Sequence, residues 1–273
     1  MVLLISSLLR SRQCKRISFG VLLLLTALTA QAHDFWIEPI KFRVMPGEKI
    51  PLQLMVGQEF NGNSTLYNPD MFERYVSVSR RGETPVAGTV GDDPAGSVTI
   101  AALGLTVIGY YSKKFDLRFD AWPAFEQYLI KEGLERNLEL ARQRTHGAIL
   151  EIYARCAKSL LAAPGAEADR ADHVFGFPLE LVSETNPYRE RDLRLQLLYR
   201  GQPLAGALVI AFNKAEPLTK LKARTDKNGR VAFNLSRAGV WLVTSVHMTP
   251  LPWYVRADWE SYWASLTFEL PRR

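Results

Sequence analysis

A histidine at the first position of a mature chain is a bidentate metal ligand. Its α-amino nitrogen and imidazole Nδ1 close a chelate ring on a divalent ion. A second imidazole completes a three-nitrogen site that suits copper or nickel better than magnesium or calcium. The stretch "TAQAHDFW", Thr29 to Trp36, raises this chemistry for His33. Inside a chain the nitrogen of His33 is an amide and a poor ligand, so proteolytic processing is part of the site. The α-amine titrates near neutral pH in model peptides, so a metal must displace a proton and affinity falls in acid.

The residues before His33 predict that processing. Arg10, Arg12, Lys15 and Arg16 form a basic segment without acids, followed by an apolar run from Ile17 to Leu28 and by the small residues of Ala30-Gln31-Ala32. This is the order of a secretory leader, with cleavage expected after Ala32 and export to the periplasm. The apolar run is short for a membrane span. Most of the formal charge of +6 resides in those four leader residues. A nucleic-acid partner is therefore not expected, because a phosphate footprint needs a basic face that survives processing. Cys14 departs with the leader, which leaves Cys156 alone and excludes an intrachain disulfide.

The second imidazole must come from His146, His173 or His247. His247 is favoured, since it lies near the end of a strand with Trp241, Val243 and Ser245 on its face, where a site can open to solvent. The competing role for His247 is a core histidine bonded to a backbone carbonyl. His146 and His173 lie among turn and helix-end residues and are expected in solvated loops. Asp34 and Glu260 are candidate oxygen ligands. The expected metal set is His33, His247 and Asp34, with no catalytic residue assigned; a copper enzyme with a histidine brace would share the same nitrogens.

Other chemistry finds little support. Gly-x-Ser-x-Gly, His-Glu-x-x-His, Walker and Cys-x-x-Cys patterns do not occur. Cys156 is expected in a core. Trp253, Tyr254, Trp259, Tyr262 and Trp263 either cap a core or stack on a sugar or partner, and the second option defines an alternative: a sandwich adaptor or carbohydrate-binding module without metal.

The positioning elements follow from periodicity. Segment 33–119 reads as antiparallel β: Ile50, Leu52, Leu54 and Val56 alternate, and short strands are expected near 75–79, 85–90, 97–101 and 106–111. Segment 120–163 changes to helical spacing. One helix is expected after Asp120 and Pro123 with Phe125, Tyr128 and Leu129 on one face, and a second over about 148–161 with Ile149, Ile152, Tyr153, Cys156 and Leu160. Segment 164–190 reads as a linker, and 191–273 returns to β, with Asp226-Lys-Asn-Gly229 as a hairpin signal. The expected class is mainly β: two β-sandwich lobes with a helical insertion between them.

The strings "GQPLAGALV", "DKNGRVAF" and "AGVWLV" over about 193–247 are similar to small transthyretin-like sandwiches, a likeness of fold. Over nearly the whole of 33–270, "AHDFWIEP", "FEQYLIKEGL", "YARCAKSLL" and "ADWESYWASLTFEL" resemble the exported proteins of domain of unknown function 4198. That resemblance implies a periplasmic component of nickel or cobalt uptake. Its N-terminal His and the His of its "WLVxxVHM" strand match His33 and His247. The partners implied are a divalent transition metal (nickel, cobalt or copper) and an inner-membrane metal transporter or outer-membrane receptor. A His-rich tract for metal storage is lacking.

Overall fold

The computed structural model describes residues 33–144, 147–169 and 172–272; the expected leader and His146 lie outside them. The first half contains β1 (Asp34–Pro39), β2 (Lys49–Gln58), β3 (Asn61–Thr65), β4 (Phe72–Ser79), β5 (Gly82–Pro85), β6 (Ser97–Thr99), β7 (Leu105–Ser112) and β8 (Phe115–Phe119). Helices α1 (Trp122–Lys131) and α2 (Leu138–Arg144) follow, then β9 (Ile149–Ala162) and β10 (Leu179–Ser183). The last part holds β11 (Asp192–Tyr199), β12 (Gln202–Pro203), β13 (Leu208–Asn213), β14 (Glu216–Arg224), β15 (Arg230–Asn234), β16 (Gly239–Pro250) and β17 (Trp259–Leu270). The fold is mainly β and sandwich-like, with a short helical segment between strand groups, as the periodicities predict.

The two halves are joined more closely than two separate lobes. A nine-stranded central sheet runs β14-β13-β16-β17-β9-β7-β4-β5, with β8 on β9, so both halves of the chain contribute to it. The join is the parallel pairing of β17 with β9, in which Ala264 lies opposite Cys156. One face of this sheet carries Cys156, Leu160, Val209, Val243 and Leu266 and packs on the sheet of β10, β11, β12 and β15. The opposite face carries Ile108, Tyr110, Ala157 and Leu161 against Phe35, Ile37, Leu52 and Leu54 of the N-terminal sheet. It also carries Phe212 and Leu242 against Trp36, and Val246, Met248 and Trp263 against α1.

Two segments differ from the sequence-based expectation. The second helix, expected over 148–161, is the strand β9. A strand buried on both faces loses its polar-apolar alternation, and the apolar residues of "ILEIYARCAKSLLA" then match helical spacing by accident. The segment 164–190 is a covering layer rather than a linker. Its β10 pairs with β11, Asn186 donates to the carbonyl of Ala166 at 2.7 Å, and the Tyr188 hydroxyl donates to the carbonyl of Leu160 at 2.7 Å.

Helix α1 forms where expected and buries Phe125, Tyr128 and Leu129. Asp120 does not cap it: Ala121 is the N-cap, and Asp120 pairs with Arg118 at 2.7 Å. Pro123 instead supplies the fixed φ of the first turn. The Asp226–Gly229 signal is a turn, closed by Asp226 Oδ1 accepting from the N–H groups of Asn228 and Arg230. The strands it links, β14 and β15, belong to different sheets, so it crosses the sandwich instead of forming a hairpin.

Candidate functional site

His33 is exposed at the start of β1 and lines an open cleft of about 600 Å³ with Gly57, Glu59, Asn61, Asn63 and Ser64 of the β2–β3 hairpin. The hairpin is tight because Gly57 faces Gly62 across the strands; a Cβ on Gly57 would lie 2.1 Å from the carbonyl oxygen of Asn61. At its tip Glu59 and Phe60 have φ of 56° and 60°, left-handed values that cost energy for residues with side chains. Tertiary contacts offset that strain. The Phe60 ring packs edge-on against Trp36 and Phe212 at centroid distances of 5.6 and 5.4 Å, and Glu59 pairs with Lys220 at 2.9 Å.

Asp34 is the next residue and lies within electrostatic reach of Lys131, Lys220, Glu59 and Glu132. Burial pushes its carboxyl up to about 6, against the lowering effect of the two lysines. Glu132, which caps the C-terminus of α1, is pushed up to about 7, first by burial and then by the charge of Asp34. The Lys131 ammonium stands 3.7 Å from Glu132, and no salt bridge reaches Asp34 among the described residues. Two carboxyls thus interact in a partly dry site, with Lys131 and Lys220 as the cations within reach.

His247 has a different setting. On β16 the even-numbered Leu242, Val246 and Met248 face the side of the sheet where β1 and α1 pack, whereas Trp241, Val243 and His247 face the other side. The His247 ring meets Tyr199 edge-on at 4.3 Å between centroids and is buried. Arg136, in the single turn Glu135–Asn137 between the helices, places Nη2 2.5 Å from His247 Nδ1. A guanidinium only donates, so Nδ1 accepts and the ring proton sits on Nε2. Burial, then Arg136 and Arg200, bring the His247 pKa down to about 4. This is a neutral imidazole among cations.

Asp34 directly follows His33 at the start of β1, and His247 lies on the face of the central sheet that meets Tyr199. Two physical features weigh against His247 as the partner of His33. The faces differ, and a metal on His247 Nε2 would drive the ring proton onto Nδ1, against the Arg136 donor. Among the described residues no group of three or more His, Cys, Asp or Glu side chains is gathered closely enough to hold a metal. A metal at His33 therefore depends on the α-amine that processing would create.

The remaining candidates have local roles. Glu260 pairs with Lys114 at 2.7 Å and with Arg200 at 3.3 Å. His173 lies in the irregular segment before β10 and is half-buried, its ring edge-on to Phe175 at 4.8 Å between centroids. Cys156 is buried, with its thiol pushed up to about 12 by burial, which agrees with a core role. Of the aromatic run, Trp259, Tyr262 and Trp263 are core residues, whereas Trp253 and Tyr254 are 90% and 74% exposed on the turn between β16 and β17. Glu132 and Arg136 escaped sequence reasoning. The only signals were an acid placed at a helix C-terminus, where the dipole disfavours it, and an arginine beside a short break between helices.

A mainly-β, sandwich-like protein with a charged N-terminal edge is the class that the fold and this site define. Residues 30–249 match the family model for the domain of unknown function DUF4198, and the chain belongs to that family. No curated protein matches. Among solved structures the chain is similar to the D0-D1 domain of intimin, at 10% identity over 86% of this chain and 97% of that one, with a TM-score of 0.18. It is also similar to a tetra-tandem repeat in the extending region of a large adhesion protein, at 12% identity over 87% of this chain and 49% of that one, with a TM-score of 0.22. Similarity at that level carries no argument about function.

Proposed function

We propose that this protein is an exported, non-enzymatic metal-binding protein of the periplasm whose site is its processed N-terminus. The ligands are the α-amine and imidazole of His33, with carboxylate oxygen from Asp34 or Glu132. The ion is a borderline divalent metal (nickel, cobalt or copper), presented to an inner-membrane transporter or outer-membrane receptor. What supports this reading is the interacting pair of burial-raised carboxyls, Asp34, which directly follows the exposed His33 in the chain, and Glu132. A divalent ion there would offset the repulsion that keeps them from ionising together. The mixed nitrogen and oxygen donor set fits these metals better than a thiolate-preferring ion.

The test is calorimetric titration of the exported protein with copper and nickel salts, after mass spectrometry has fixed its first residue. Binding that requires a free α-amine at His33 and releases protons near pH 6 to 7 is the expected result. A mature terminus elsewhere, or equal affinity in a chain extended by one residue before His33, would overturn it. One observation favours an adaptor role instead: Trp253 and Tyr254 present two exposed rings, edge-on at 5.9 Å between centroids, on one turn. That reading expects Trp253→Ala to abolish partner or sugar binding while metal titration of the processed chain shows none.

A further inference from the structure

Lys158 is 1% exposed, in the middle of the central strand β9. Its Nζ lies 2.7 Å from Asp172 Oδ2 and 3.1 Å from Glu180 Oε1, and it donates to the carbonyls of His173 and Leu181 at 2.7 and 3.1 Å. The side chains of Asp172 and Glu180 are 0% and 1% exposed. Phe175 covers the group, its ring centroid 5.7 Å from Nζ and stacked on Phe177 at 5.1 Å. Glu180 is fixed by the backbone N–H groups of Phe175, Gly176 and Phe177, at 2.8, 2.9 and 3.2 Å. Asp172 accepts from the N–H of His173 and of Ser183 at 2.7 and 2.9 Å.

A buried amine, a buried carboxyl in contact with it and a second carboxylate fixed beside both are the components of an amide condensation. We propose that Lys158 and Asp172 form an intramolecular isopeptide bond, with Glu180 as the proton shuttle. The Lys158 ammonium passes one proton directly to Asp172, giving a neutral amine and a neutral acid, the forms a dry site favours. Burial already raises the Asp172 pKa in the presence of the Lys158 charge. The amine lone pair then attacks Asp172 Cγ. Glu180 takes a second proton from the nitrogen as the C–N bond forms and gives it to the departing hydroxyl. One C–N bond forms, one C–O bond breaks and one water leaves. No electrons are transferred, and Glu180 is regenerated. Fixed contact replaces a bimolecular encounter, and exclusion of water opposes hydrolysis of the product. The bond ties the segment before β10 to the central strand across a short loop and removes freedom from the unfolded chain, as a disulfide would.

Intact-mass measurement and tryptic mapping of the purified protein test this directly. The expected product is lighter than the sequence by one water, uncleaved at Lys158, with peptide 156–170 joined to peptide 171–189. Glu180→Gln should leave those peptides separate at the unreduced mass, and Asp172→Asn should join them with loss of ammonia in place of water. Recovery of cleaved, unlinked Lys158 and Asp172 peptides from the wild-type chain would overturn the proposal and leave the group an ion pair. Linkage that persists in folded Glu180→Gln would overturn the role of Glu180. If that variant does not fold, the wild-type peptide map alone decides whether the bond exists.

Discussion

The two histidines singled out by sequence occupy opposite electrostatic settings. Around His33 the neighbouring acids are pushed up, Asp34 to about 6 and Glu132 to about 7, on an edge open to solvent. Around His247 the imidazole is brought down to about 4 in a buried corner with Arg136 and Arg200. The first setting has an excess of negative charge that a cation would relieve. The second holds a neutral ring against cations and rejects another. Residue type alone does not distinguish them; the charges arranged around each ring do.

The sharpest way to break this comparison is to block the α-amine. One residue added before His33 should lower metal affinity on the order of 100-fold in calorimetry, because a chelating amine becomes an amide. His247→Ala should leave that affinity unchanged, and a comparable loss in His247→Ala would restore the two-histidine site. Glu132→Gln should weaken binding less, by about 10-fold, the range seen when a supporting carboxylate is removed. Asp34→Asn should bring the Glu132 titration down, read by NMR of its side chain, since the Asp34 charge is a raising cause there.

The pH dependence of stability sharpens the comparison further. Asp34, Glu132 and the buried Glu151, raised by burial to about 7, bind protons more tightly folded than unfolded. Their destabilising contributions grow as pH rises from near 4 towards 7. Glu151 has no cation in contact among the described residues; Tyr128 donates to it at 3.0 Å, Ser261 also bonds it, and its Oε2 is unpartnered. Its term is about 3 kcal/mol across that window. His247 works the other way, its contribution being complete above 6.5 and lost as pH falls to about 4. Denaturant melts of Glu151→Gln should therefore show a smaller loss of stability between pH 4.5 and 7 than the wild type. Melts of His247→Ala should gain more stability than the wild type as pH falls from 6.5 to 4, because the opposing loss at His247 is removed.

Arg136→Ala should raise the His247 pKa part of the way to its ordinary value, since burial, the larger cause, remains; an unmoved NMR titration would show that the Arg136 contact is absent in solution. The smallest effect is expected at Trp253. Its alanine variant should stay within about 0.5 kcal/mol of wild-type stability, as exposed positions do, whereas Trp36→Ala should cost about 3–5 kcal/mol as a large buried ring.

Much of the β architecture was legible because half-buried strands keep a period of two: Ile50, Leu52 and Leu54 are buried in β2, as are Leu193, Leu195 and Leu197 in β11. Helix α1 was legible from its apolar face and Pro123. The strand β9 was not, because a strand covered on both sides has no polar face to mark its period, and Glu151 and Lys158 within it look like the outer face of a helix.

The sequence by itself determined the residues that would matter if the leader is removed at Ala32, with His33 first and Asp34 beside it, because adjacency along the chain needs no folding. It also determined that removal of the leader at Ala32 would leave Cys156 without a cysteine partner, since Cys14 is the other cysteine. Only the tertiary structure decided which distant groups join them. Glu132 reaches Asp34 through the packing of α1 over the central sheet, and His247 is turned away by the parity of its position on β16. Lys158, Asp172 and Glu180 converge because β9 runs beside the layer that carries β10. Strand parity and sheet order are set by pairing between segments far apart in sequence, and such pairing leaves little trace in local periodicity.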